Sequence, residues 1–136
     1  MDIDDIYRFL SESQGVEREH LTPGLDLRDD LGIDGDDYFE LVEQFERKYE
    51  VDMSSYHWYF HHGEEGLNIG SIIFRAPDQM VKHIPVTPKV LLEAANRKIW
   101  PIEYPKHDVP RVRHDFKVNL IIVGCIILVA VLWLIA

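Results

Sequence analysis

Apolar and polar positions divide the chain into unlike parts. Residues 120–136 read LIIVGCIILVAVLWLIA, with no charge and no proline. With Val118 and Asn119 the stretch is about 19 residues, or roughly 28 Å of helix at 1.5 Å per residue. That nearly matches a hydrocarbon core of about 30 Å. A helix buried on a soluble core keeps a polar face, and this stretch has none. The pattern predicts a transmembrane helix over residues 118–136, with Trp133 near the far interface. Upstream the periodicity is that of amphipathic helices. Ile3, Ile6, Phe9 and Leu10 fall on one side of a helix over residues 3–13, which Gly15 ends. A second helix runs from about Asp36 to Tyr49, with Phe39, Val42, Phe45 and Tyr49 expected inside. Thr87 and Pro88 suit the N-cap and first position of a third helix. It reaches about Lys98 with Val90, Leu91, Ala94 and Ala95 inward. The aromatic stretch 56–60 reads as a short helix or turn. Residues 72–74, Ile-Ile-Phe, are too few to choose between strand and helical turn.

Pro101, Pro105 and Pro110 forbid one continuous helix over residues 101–117. That segment reads as an extended, semi-stiff basic linker between a domain at 1–100 and the span at 118–136. Lys106, Arg111, Arg113 and Lys117 precede the span and no charge follows it. By the preference of cations for the cytoplasmic side, the N-terminal domain is expected in the cytoplasm. The linker cations are also placed to meet anionic lipid headgroups. The N-terminus is acidic and lacks the apolar core of a signal peptide.

Charge is distributed unevenly. Residues 1–65 hold 19 acidic and 5 basic side chains, a balance of −14, whereas residues 66–136 hold 5 and 9, a balance of +4. An acidic N-terminal half repels a phosphate backbone and argues against nucleic acid as partner. Cys125, inside the apolar tail, is the single cysteine, so neither an intramolecular disulfide nor a cysteine metal site is available.

The segment from Asp30, D-L-G-I-D-G-D-D-Y-F-E-L-V, resembles the central motif of acyl carrier proteins, in which D-L-G-x-D-S-L-x-x-x-E-L opens the second helix. Asp30, Leu31, Gly32, Asp34, Glu40, Leu41 and Val42 take up the motif. The block from Val86 to Trp100 and the aromatic stretch from Tyr59 to Gly66 are similar to an uncharacterised bacterial branch of carrier-like proteins. The resemblance covers roughly residues 2–100. It implies an all-α fold, a small acyl-carrier-like helical bundle of bacterial type; the apolar pattern adds one C-terminal transmembrane helix to the ordinary soluble carrier pattern, with a bacterial inner membrane as the expected location. It also places Gly35 where carriers have the serine that bears phosphopantetheine. Glycine has no hydroxyl, so no cofactor is expected there. Ser54 and Ser55 follow the second helix, away from the motif position.

What the resemblance implies is a non-enzymatic docking or adaptor module. Its partner-binding face would be Asp36, Asp37, Glu40, Glu43 and Glu46 on the second helix. The expected partner is a basic protein, with an enzyme of fatty-acid or lipid metabolism as one form, and the bilayer is met through residues 118–136. The alternatives are a true carrier modified at another serine, or a structural subunit of a membrane complex. His57, His61 and His62 contain an i, i+4 pair, but no H-E-x-x-H accompanies it, and the aromatic neighbours suit packing rather than a metal. Counting an EF-hand loop from Asp26 puts Arg28 at the third position and Asp37 at the twelfth, so no calcium loop is expected. No P-loop, dinucleotide fingerprint or nucleophile motif is present.

Overall fold

The computed structural model describes residues 1–136 and is helical, without strands. Four α-helices carry it: α1 (Ile3–Gln14), α2 (Gly35–Tyr49), α3 (Pro88–Arg97) and α4 (His114–Ile135). Local signals set most of their ends. Asp2 caps α1 through the N–H groups of Asp4 and Asp5, and Asp5 returns a carboxylate to the Asp2 N–H, which satisfies donors the helix leaves open. Gly15 closes α1 with φ +67°, its N–H donating to the Ser11 carbonyl. Thr87 Oγ1 accepts from the Val90 N–H and Pro88 occupies the first turn of α3. The aromatic stretch contains one 3₁₀ turn, Trp58–Phe60, and a second turn, Ile69–Ile72, lies where strand or turn stood open.

The core is where α1, α2 and α3 meet. Ile6, Phe9 and Leu10 of α1 pack with Tyr38, Leu41 and Phe45 of α2 and Leu91, Ala94 and Ala95 of α3. Leu27 and Ile33 of the α1–α2 loop close one end, with the Leu27 N–H donating to the Val86 carbonyl at 3.0 Å. At the other end an isolated parallel bridge joins Asp52 to Ile99. The Asp52 N–H donates to Lys98 O and the Trp100 N–H to Asp52 O, both at 3.0 Å.

The buried face of α2 differs from the expectation. Tyr38 and Leu41 are inside with Phe45 and Tyr49, whereas Val42 is half-buried and Phe39 is 38 % exposed. Two apolar stripes lie side by side on this helix, one residue apart. Helical period alone does not distinguish them; the position of α1 does.

α4 begins at His114, four residues before the expected start at 118, and its 22 residues span about 33 Å. It is long and apolar enough to cross a membrane, and its apolar portion is not covered by the rest of the protein. Residues 101–112 contain no helix, but they are not a detached tether: Tyr104 and His107 pack on the aromatic cluster of the bundle.

Candidate functional site

The five carboxylates expected to form a docking face, Asp36, Asp37, Glu40, Glu43 and Glu46, are all solvent-exposed along α2, away from Tyr38, Leu41 and Phe45. They are only lightly engaged. Glu40 accepts from Gln44 Nε2 at 2.9 Å, and Glu43 lies 3.8 Å from Arg47, one turn on. Exposed pairs of this kind contribute little, so the face retains most of its charge for another molecule. Phe39 stands on the same side, one turn from Asp36 and Glu43. Its ring meets Trp58 with centroids 5.6 Å apart. The face therefore combines an aromatic pair with a carboxylate row.

Gly35 starts α2 for a backbone reason. Its φ is +54°, and a Cβ built there would fall 2.1 Å from Glu65 Cγ. A side chain at this position meets both strain and a neighbour, so the glycine is required by the turn itself. Asp34, just before it, accepts from the Gly63 N–H at 2.7 Å. Partial burial opposes its charge, but the N–H groups of Gly63 and Gly35, with Arg28, outweigh burial and hold the carboxyl below its usual range. Ser54 and Ser55 are exposed beyond α2, outside this turn.

The histidines form part of a buried aromatic network. His61 is fully enclosed. Its Nδ1–H donates to the Ile84 carbonyl at 2.8 Å, and its Nε2 accepts from the Tyr104 hydroxyl at 2.7 Å. The same Tyr104 oxygen accepts from Trp100 Nε1–H at 2.8 Å and from the His57 N–H at 3.2 Å. These partners assign one neutral tautomer to His61, and burial depresses its pKa to about 4. His62 stacks on Tyr38 with centroids 4.4 Å apart and donates from Nδ1 to Gly63 O. Burial lowers its pKa too. The i, i+4 spacing of His57 and His61 thus serves Tyr104, a residue of the proline-rich segment that sequence reasoning placed outside the domain.

A second constellation escaped sequence reasoning. Asp26, Asp29 and His83 bring one ligating atom each within 4.8 Å of one another. His83 Nε2 pairs with Asp26 Oδ2, while His83 Nδ1 is enclosed without a partner. Asp26 also accepts from the Arg28 N–H at 3.2 Å, and its own N–H donates to Asp30 at 2.6 Å, so much of its role is to hold the loop. The separation of 57 positions between Asp26 and His83 hides the pair from any local motif.

The base of α4 is clamped to the bundle. Arg113 makes a two-bonded contact with Glu64, at 2.9 and 2.7 Å, and another with Asp115, at 3.0 and 2.6 Å. Asp115, 2 % exposed, also accepts from Asn68 Nδ2 at 2.7 Å. One turn on, Asn119 Oδ1 accepts from the Gly70 N–H at 2.7 Å, and its Nδ2 donates to Asn68 at 2.9 Å. Gly70 packs so closely that an added Cβ would meet the Asp115 carbonyl oxygen at 2.0 Å. Of the four linker cations, Arg113 is consumed in this clasp, whereas Lys106, Arg111 and Lys117 are exposed. The sequence signal was Asp115 and Asn119, spaced i, i+4 on the same face at the start of the helix. Beside the clasp, Ile73, Phe74, Met80, Val109 and Pro110 help line an apolar groove of about 220 Å³.

No solved structure matches the chain. A family model matches residues 3–103, and its description is "Protein of unknown function (DUF1493)"; no phosphopantetheine-binding domain was found. This overturns the resemblance to acyl carrier proteins. The Asp-Leu-Gly segment is short, and its features have local causes here: Gly35 occupies a left-handed position at a helix start rather than the place of a lost serine. The inferences that leaned on that family, a fatty-acid enzyme as partner among them, lose that basis. Over residues 3–103, which include the bundle and the acidic helix, the chain belongs to the uncharacterised family DUF1493.

Proposed function

We propose that this protein is a non-enzymatic docking module that holds a basic partner protein at a membrane. The observation that carries the reading is the outer face of α2, where Asp36, Asp37, Glu40, Glu43 and Glu46 are all exposed beside the partly exposed Phe39–Trp58 pair. Aromatic side chains framed by complementary charge are the composition of protein interfaces. Nucleic acid is disfavoured by the same carboxylates. α4 supplies the anchor. The free cations at its base, Lys106, Arg111 and Lys117, support a cytoplasmic orientation for residues 1–113. The clasp through Arg113 and Asn119 ties the helix base to the bundle, which supports a defined presentation of the acidic face.

The test is charge reversal. Glu40→Lys combined with Glu43→Lys should weaken capture of the native partner by cross-linked pull-down from membranes, with helicity unchanged by circular dichroism. Each exposed charge pair contributes about 0.2–1 kcal/mol, so the loss is expected as a several-fold weakening rather than abolition. Raising salt from about 0.05 to 0.5 M should loosen the wild-type complex, as the Debye length falls well below about 10 Å. Normal capture by the double variant, together with insensitivity to salt, would show the carboxylates to be an ordinary solvated face.

A further inference from the structure

The turn around Ile69–Ile72 has an unusual combination of properties. Its backbone is hydrogen-bonded to the base of α4, yet its apolar side chains are bare. Leu67 is 85 % exposed, Ile72 83 % and Ile73 66 %, and Phe74 is also exposed. A soluble surface rarely leaves four large apolar residues together in eight positions without something to cover them. The location of the turn indicates the cover. The Gly70 N–H donates to Asn119, and Asn119 immediately precedes Leu120, the first residue of the uncharged apolar run. At 1.5 Å of rise per residue, the backbone of the turn therefore lies level with the point where α4 becomes wholly apolar. Val112 and Phe116, also exposed, continue the same apolar surface onto the base of α4. Arg75 and Arg111 are exposed next to it in the chain and Lys117 is exposed on α4, while the acidic side chains nearby are Glu64 and Asp115, which share Arg113, and Glu65 and Asp78.

We infer that the 67–74 turn is a second membrane contact, seated in the headgroup–acyl boundary of the leaflet through which α4 enters, with Arg75, Arg111 and Lys117 against anionic lipid headgroups. This rests on the reading of α4 as a membrane span. Interfacial segments bury apolar side chains to about 5–10 Å, the depth available to side chains projecting from a turn at the base of the span. Basic residues at that level gain from the negative surface of anionic lipid. Two attachments, one through α4 and one through the turn, hold the bundle in a single orientation on the bilayer.

The experiment uses the full chain in vesicles of phosphatidylcholine and phosphatidylglycerol, with Cys125→Ala as background. A polarity-sensitive nitrobenzoxadiazole probe is attached at Ile72→Cys, at Val129→Cys within the span, and at Arg47→Cys on α2. The expected result is blue-shifted emission at Ile72→Cys, quenched several-fold more strongly by lipid spin-labelled near the carbonyl region than the probe at Arg47→Cys. The probe at Val129→Cys should be quenched by lipid labelled deep in the chain. Water-like emission at Ile72→Cys with a buried probe at Val129→Cys would overturn the second contact and leave the span standing, and the turn would then be covered by protein. Water-like emission at both positions would overturn the span and the contact together.

Discussion

Protonation of His61 should cost this protein stability in a pH range where ordinary surface groups scarcely act. The folded state holds the ring neutral, between the Ile84 carbonyl and the Tyr104 hydroxyl, with its pKa lowered by burial from 6.5 to about 4. In the unfolded chain the ring titrates near its ordinary value. Between those two values the unfolded state binds a proton that the folded state refuses, so stability falls as pH falls. The contribution is complete above pH 6.5, is reduced by about 2 kcal/mol at pH 5, and approaches a loss of about 3 kcal/mol near pH 4. His62, also lowered by burial, acts in the same direction. The comparison that isolates His61 is therefore with His61→Gln, which keeps an amide donor and acceptor but does not titrate. Urea unfolding of both full-length proteins in detergent micelles, followed by the fluorescence of buried Trp100, should be run at pH 7.5 and pH 5. The variant should be the less stable at pH 7.5, and the gap between the two should narrow by about 2 kcal/mol at pH 5. An unchanged gap would refute the assignment of a buried neutral imidazole at this site.

Two further substitutions probe glycines by their surroundings. Gly35→Ala should lower thermal stability by about 1–2 kcal/mol for its left-handed backbone, and by more than Gly15→Ala. Both have positive φ, but Gly15 has open space around it whereas Gly35 faces Glu65; equal melting losses would show that Glu65 moves aside freely. Gly70→Ala should drive the Asp115 carbonyl away and open the clasp, at a cost of about 1–3 kcal/mol. Hydrogen exchange should then quicken at the amides of residues 69–73 and remain unchanged in α1; unaltered exchange at the turn would contradict the tight approach of Gly70 to α4.

The sequence by itself determined what depends on neighbours a few positions apart. α1 was legible because Asp2, Asp5 and Gly15 satisfy the helix ends locally, and α3 because Thr87 and Pro88 do the same at its start. The apolar helix was legible because its run is long, uncharged and free of proline, which is enough to mark a candidate span. The exposed carboxylates of α2 followed from charge, since five of them within a few turns do not enter a core unpaired. Other features depended on contacts between distant segments. The inward stripe of α2, with Tyr38 and Leu41 in place of Phe39 and Val42, was decided by α1 packing against it. Tyr104 joined the aromatic network through bonds to His57 and His61, 47 and 43 residues away, although its own surroundings in the chain are prolines and charges. The clasp at α4 joins Glu64 and Asn68 to Arg113 and Asp115 across 49 and 47 residues. Gly35 shows the limit most clearly. A motif of a dozen residues suggested a missing serine, but the reason for the glycine is a positive φ and the approach of Glu65, thirty positions on, and neither is encoded in the residues that surround it.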